Sequence, residues 1–305
     1  MSALAALRNG GKAALSKALA EIESHPDGDA ALALLDEAFA QSTAQVIGLT
    51  GPPGVGKSTL AGALINHYRG QGRTVGVIAV DPSSRLTGGA LLGDRTRIRT
   101  DPEDAGIFIR SMAARDRLGG LADLTYGAMV LMRAQFDVVL VETVGVGQSE
   151  TEISLCADTI LFCVQPGSGD SLQYMKAGIA EIPDLVVVTK ADLGQSASRA
   201  KADVKGALSL ARSKAANWAP HVLLISAQTG VGLTELVQAI QDHDTWLQGE
   251  DRLAQRRGAQ AKAWLDLAAR ERWGRDGGRI RSSSGSSESD SPFRRLASFR
   301  KTIDK

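Results

Sequence analysis

The chain has 305 residues, 43% hydrophobic and 23% charged, with a formal net charge of +1. That length and balance fit one enzyme-sized core with additions at its ends, and exclude a wholly disordered or fibrous chain. With no long basic stripe interleaved with aromatics in the central two-thirds of the chain, no apolar run near the ~20 residues that span a bilayer, and no cleavable apolar leader between Met1 and Lys17, the expectation is a cytoplasmic protein whose partners include neither nucleic acid nor membrane.

From the N-terminus, Ala13 to Glu23 and Ala30 to Ala40 carry apolar residues at three- and four-residue spacing. The turn chemistry of His25-Pro26-Asp27-Gly28-Asp29 separates them, so residues 1–43 read as a helical extension ahead of the core. At Gln45 the pattern changes to short β-branched runs: Val46 to Leu49, Thr74 to Val80, Val138 to Val141, Thr159 to Val164, Leu185 to Val188 and Val222 to Ile225. Helix-compatible stretches lie between most of them. Strands alternating with helices predict an α/β fold over 44–245, a mostly parallel sheet flanked by helices, with ligands at the carboxyl ends of its strands. The two cysteines, Cys156 and Cys163, lie in or beside an apolar strand-like run without metal-ligand spacing and read as reduced core thiols. Arg252 to Trp273 reads as one or two amphipathic helices outside the core, so that 246–275 forms a helical arm. The Gly- and Ser-rich stretch after it, with the basic Pro292 to Lys305, reads as a flexible tail over 276–305.

The strongest motif is Gly51-Pro52-Pro53-Gly54-Val55-Gly56-Lys57-Ser58-Thr59, which meets the pattern G-x-x-x-x-G-K-[ST] and directly follows a strand. Its glycines let backbone N–H groups turn inward around phosphates, and the helix starting near Lys57 points its positive dipole end at them. Lys57 reaches the β- and γ-phosphates, and the Ser58 hydroxyl is suited to Mg²⁺. Two strand-end carboxylates, Asp81 and Glu142, belong at the same sheet edge, where they can hold Mg²⁺ directly or through water. Glu142-Thr143-Val144-Gly145 stands where nucleotide switches carry D-x-x-G, with the Gly145 N–H free to meet a γ-phosphate. Signalling GTPases place a water-orienting Gln directly after that glycine. Here the position is Val146, with Gln148 displaced, which predicts slow turnover until a partner completes the site.

Thr189-Lys190-Ala191-Asp192 follows the run Leu185 to Val188. The Asp192 carboxylate only accepts hydrogen bonds, so it can take both the ring N–H and the exocyclic amine of guanine, a pair of donors adenine lacks. The Lys190 stem can lie along the base. The usual motif begins with Asn; Thr189 keeps a hydroxyl, and the expectation is that the tie from this loop to the phosphate loop goes with the amide. Ser226-Ala227, after the last run, is small enough for backbone N–H groups to approach the guanine oxygen. GTP and GDP with Mg²⁺ are the ligands this set predicts.

These motifs, together with Asp81-Pro-Ser-Ser84, Thr87 to Arg97 (Thr-Gly-Gly-Ala-Leu-Leu-Gly-Asp-Arg-Thr-Arg), Ser111-Met-Ala-Ala114, Leu118-Gly-Gly-Leu121, Glu142 to Glu150 and Gly167-Ser-Gly-Asp170, resemble the MeaB/ArgK-type P-loop GTPases over about residues 10 to 273. That family serves methylmalonyl-CoA mutase and related adenosylcobalamin-dependent acyl-CoA mutases as chaperones. The resemblance implies that Asp81, Asp94 and Glu142 share one Mg²⁺ and switch network, and that Gly167 to Lys176 is an additional partner-facing switch with Lys176 as a contact. It also implies a homodimer assembled through the terminal helices, and a role in loading adenosylcobalamin or protecting the mutase. Two other readings share the phosphate loop: an ATP-using kinase linked to amino-acid transport, and a nickel-inserting GTPase. The second usually brings clustered His or Cys ligands, whereas His25, His67, His221 and His243 are scattered.

Overall fold

The computed structural model describes residues 2–82, 98, 100–114, 123–143, 145, 152–167, 182–211, 218–274 and 291–303. Helices α1 (Ala3–Asn9), α2 (Gly11–Ser24) and α3 (Asp29–Ala40) precede the first strand. The remaining described strands and α-helices are β1 (Gln45–Thr50), α4 (Lys57–Gly70), β2 (Val75–Pro82), β3 (Ile107–Ala114), α5 (Asp123–Arg133), β4 (Val138–Glu142), β5 (Thr159–Val164), β6 (Leu185–Val188), α6 (Gln195–Ala211), β7 (His221–Leu224), α7 (Leu233–Gln248), α8 (Arg252–Trp273) and α9 (Pro292–Ile303).

The strands form one seven-stranded sheet in the order β3-β2-β4-β1-β5-β6-β7, and every neighbouring pair is parallel. Strands β1, β4, β5 and β6 are buried along their whole length, as their unbroken apolar runs require. Strand β3 is the element the apolar pattern does not show, because Arg110-Ser111 interrupts its run and it lies at the sheet edge.

The chain leaves β1 on one side for β2 and β3, returns to β4 beside β1, and then builds β5, β6 and β7 on the other side. The order of strands therefore reverses at β1, and the crevice beyond its carboxyl end is where an open parallel sheet binds ligands. Residues 51–56 occupy that crevice.

At the opposite edge, α8 is joined to the sheet by two consecutive arginines. Arg257 donates to Asp158 Oδ1 at 2.9 Å and Oδ2 at 2.7 Å, just before β5. Arg256 donates to Asp184 at 3.0 and 2.8 Å, just before β6. Trp264, Leu265, Ala268 and Ala269 of α8 are buried in the same cluster as residues of α2, α3 and α5, and Ala261 is buried as well, so this helix is part of the core and not an arm outside it. Its three- and four-residue apolar spacing is that of a helix with a face to bury.

The chain end also departs from expectation: 292–303 is helix and not a flexible tail. Phe293, Leu296 and Phe299, three residues apart, form one face that packs beside Trp264 and Trp273, and Phe299 is fully buried. The five basic residues between and after them mask that face when composition is weighed over the whole segment.

Candidate nucleotide-binding site

The phosphate loop is shaped by glycine. Gly51, Gly54 and Gly56 have φ values of +130°, +72° and +100°, which side-chain-bearing residues rarely adopt. At Gly51 a Cβ would also lie 2.2 Å from the carbonyl oxygen of Cys163 in the neighbouring strand. Val55, fully buried, anchors the loop from below. Lys57, 6% exposed, opens α4 and donates to the carbonyls of Gly51 at 2.7 Å and Pro52 at 3.0 Å. Its ammonium is thus held over the loop by the loop's own backbone.

Glu142 ends β4 next to β1, in register with Leu49. The Ser58 hydroxyl donates to Glu142 Oε1 at 2.7 Å, which brings two hard oxygen donors together beside the loop. The backbone of Asp81 reaches the same edge in β2, in register with Ala113 of β3. Thr143 donates through its hydroxyl to that of Thr50 at 3.0 Å, tying the exit of β4 to the exit of β1. Gly145, with φ +84°, lies directly on the phosphate loop: a Cβ there would stand 1.9 Å from the Gly51 oxygen and 2.7 Å from Lys57 Nζ. Asp94, Val146, Gln148 and Lys176 lie outside the described residues.

Two strands along, Thr189, Lys190 and Asp192 follow β6. The Thr189 hydroxyl is 2.7 Å from the Val55 oxygen and 3.0 Å from the Val164 oxygen. The tie expected to be lost with an Asn-to-Thr change is therefore present. The buried Thr189 backbone, its N–H bonded to Val164 O at 2.8 Å, carries the short side chain to the carbonyl that the loop glycines turn outward. Lys190 has a left-handed backbone, φ 54° and ψ 45°, and its Nζ is 3.4 Å from the Gly54 oxygen. It also donates to Gln165 Oε1, a contact the sequence pattern does not show because it depends on β5–β6 register. Asp192 is exposed. Ala191 N–H bonds the Ile225 oxygen at 3.1 Å, which joins this loop to Ser226-Ala227. The turn beyond is closed by Ser226 N–H to Val231 O at 2.9 Å. The structure thus gathers 51–59, Glu142, Gly145, Thr189 to Asp192 and Ser226-Ala227 along the carboxyl edge of one sheet.

The family described as methylmalonyl Co-A mutase-associated GTPase MeaB matches residues 15–275 of this chain. The chain belongs to the MeaB family of GTPases. GTPase ArgK of Escherichia coli strain K12 is 39% identical over 265 residues, covering 85% of this chain and 80% of that protein. The mitochondrial methylmalonic aciduria type A homolog of Mus musculus is 40% identical over 222 residues, 72% of this chain and 54% of the mouse protein. Among solved structures, that of an LAO/AO transport system kinase superposes with a TM-score of 0.72 at 30% identity, covering 98% of this chain and 96% of the other. It is a P-loop nucleotide-hydrolase fold, as here.

As a MeaB-family GTPase the protein binds and hydrolyses guanine nucleotide, and its surroundings fit that chemistry. Cys163 stands behind the phosphate loop, but burial pushes its thiol up to about 12, and Cys156 likewise, so neither is a nucleophile at neutral pH. Both are free and buried, as expected of reduced core thiols. Among the described residues no helix is long and apolar enough to cross a membrane.

Proposed function

We propose that this GTPase couples GTP turnover to the servicing of an adenosylcobalamin-dependent acyl-CoA mutase, gating delivery of the cofactor or protecting the loaded enzyme. The observation that carries this reading is the match of 15–275 to a mutase-associated GTPase family, with the mouse methylmalonic aciduria type A homolog as a relative.

In this reading Lys57 and the inward N–H groups of 51–58 hold the β- and γ-phosphates. Asp192 reads guanine through its paired donors, Lys190 covers the base, and Ser226-Ala227 admits the guanine oxygen. The Ser58 and Glu142 oxygens, brought together by a 2.7 Å hydrogen bond, fit the hard-donor preference of Mg²⁺, with Asp81 and Asp94 completing the network. Bound there, Mg²⁺ would neutralise charge on the transferring phosphoryl group. Gly145 presents its N–H toward the γ-phosphate. Water attacks the γ-phosphorus, the bond to the β-bridging oxygen breaks, and GDP and phosphate leave. With Val146 after the switch glycine and Gln148 displaced, no Gln directly follows Gly145 to orient that water, so turnover is slow until the mutase orders the switches. A homodimer joined through the terminal helices and a cytoplasmic site of action belong to the same reading.

The solved relative's name favours one other reading, a transport-system kinase, which would use ATP. The test is turnover of the purified protein with GTP and with ATP, alone and with an adenosylcobalamin-dependent acyl-CoA mutase. A slow GTP rate raised severalfold by the mutase, with little ATP use, supports the proposal. ATP preference, or no response to any such mutase, overturns it.

A further inference from the structure

We infer that Gln165 is a positioning residue for guanine-nucleotide recognition, acting through Lys190; the inference rests on the proposed assignment of 189–192 to the base. Strands β5 and β6 pair in parallel with Val164 opposite Val188. The first residues beyond each strand, Gln165 and Thr189, are therefore neighbours at the carboxyl edge, and Lys190 is one step further along its loop. Lys190 takes a left-handed backbone that a residue with a side chain rarely adopts, so contacts outside the backbone must hold it.

Two contacts do so. Lys190 Nζ donates to Gln165 Oε1 and reaches the Gly54 oxygen at 3.4 Å. The first is the closer and is charge-assisted; the second is at the far limit of a hydrogen bond. One ammonium thus bridges three loops: the phosphate loop, the β5 exit and the base loop. Gln165 is the only one of the two acceptors supplied by a side chain, which makes it the member a substitution can remove. Without it the Lys190 stem is free to leave the plane it must occupy to cover a purine, while Asp192 and the phosphate contacts are untouched. The effect therefore falls on nucleotide affinity and not on the chemical step.

The experiment measures Kd for GDP and GTP, and KM and kcat for GTP, in Gln165→Ala, Gln165→Glu, Lys190→Met, the Gln165→Ala/Lys190→Met double variant, and Asp192→Ala. Gln165→Ala is expected to raise Kd and KM about three- to tenfold, the loss of one net hydrogen bond, with kcat within twofold and the thermal midpoint unmoved. Gln165→Glu, which keeps the acceptor, should restore affinity. In the Lys190→Met background the alanine change should add nothing further. A Gln165→Ala protein with wild-type Kd and KM, or an effect that persists in full without Lys190, overturns the inference. Asp192→Ala separates it from the reading on which it rests: unaltered guanine-nucleotide affinity there removes the base-loop assignment itself, whereas a large loss there with a silent Gln165→Ala removes only the role of Gln165.

Discussion

The Thr189 hydroxyl stands 2.7 Å from the carbonyl oxygen of Val55, so this side chain ties the loop after β6 to the loop after β1. Its second acceptor, Val164 O at 3.0 Å, competes for the same single proton. Thr189→Val keeps shape and removes the donor, leaving the Val55 carbonyl unpaired at a cost of about 1–3 kcal/mol. GTP affinity is expected to fall roughly five- to tenfold by calorimetry. Thr189→Ser, which keeps the hydroxyl, should stay within about twofold. Equal affinities for the Val and Ser proteins would show that the tie plays no part in binding.

The Ser58–Glu142 pair makes a different demand. If these oxygens hold Mg²⁺ with the nucleotide, Glu142→Gln removes the charge and keeps the size, and kcat for GTP should fall by on the order of 10²-fold. The dependence of turnover on MgCl₂ should move to higher concentration in Ser58→Ala as well. Titrating hydrolysis against MgCl₂ checks both. Curves that superpose on the wild type would detach the pair from the metal.

Gly145 allows no side chain. In Gly145→Ala the new methyl would lie 1.9 Å from the Gly51 oxygen and 2.7 Å from Lys57 Nζ, on a backbone with φ +84°. Backbone strain alone costs about 1–2 kcal/mol, and the overlap forces the switch off the phosphate loop. We expect turnover lowered about tenfold or more, since the N–H proposed to meet the γ-phosphate is displaced. Single-turnover GTP hydrolysis measures it directly, and a wild-type rate would contradict the contact.

What the residues alone disclose follows from how local each signal is. The phosphate loop is nine consecutive residues whose glycines and lysine each have a backbone reason, and β1, β4, β5 and β6 are runs with no polar interruption. Strand β3 escapes notice because Arg110 answers to Glu23 of α2, 87 residues away, at 2.6 Å. Helix α9 escapes because the face formed by Phe293, Leu296 and Phe299 has meaning only beside Trp264 and Trp273. The consequence of Thr189 is misjudged from sequence for the same reason: whether a shorter side chain still reaches Val55 depends on where two loops stand, not on what they contain. Gln165 is visible only through the β5–β6 register.

The latch between α8 and the sheet predicts a stability effect with a pH limb. Asp158 is fully buried, accepts from Val46 N–H at 2.9 Å and is paired with Arg257, so Arg257→Met strands a buried carboxylate and should cost about 3–5 kcal/mol in denaturant unfolding. Asp184 is buried too. Burial pushes its carboxyl up, but the contacts with His243 and Arg256 outweigh it and hold it below the usual value. A carboxylate lowered on folding stabilises fully above its unfolded value, about 3.9, and loses that contribution as pH falls through the lower folded value. Asp184→Asn should therefore lower stability at neutral pH and flatten the acid limb below about pH 4. An unfolding midpoint with unchanged acid dependence would assign the limb to other carboxylates.

Helix α9 gives the last prediction. Phe299 is fully buried and Phe293 lies 4.9 Å from Trp264 by ring centroids, with Trp264 stacked on Tyr126 at 4.8 Å. Phe299→Ala removes a core aromatic, a change that costs about 3–5 kcal/mol where the site cannot relax. A terminal helix can instead undock, so the loss is capped by the free energy of docking 292–303 and local opening replaces global unfolding. The expected result is faster amide exchange across 292–303 and in the α8 turn around Trp264, with a changed tryptophan emission and little change in the cooperative unfolding midpoint. None of the proposed nucleotide residues belongs to the cluster that α9 joins, so GTP turnover should stay within about twofold. Undisturbed exchange in Phe299→Ala would mean that the helix is not held by that face, and a midpoint lowered by the full cavity cost would mean that α9 unfolds only with the whole core.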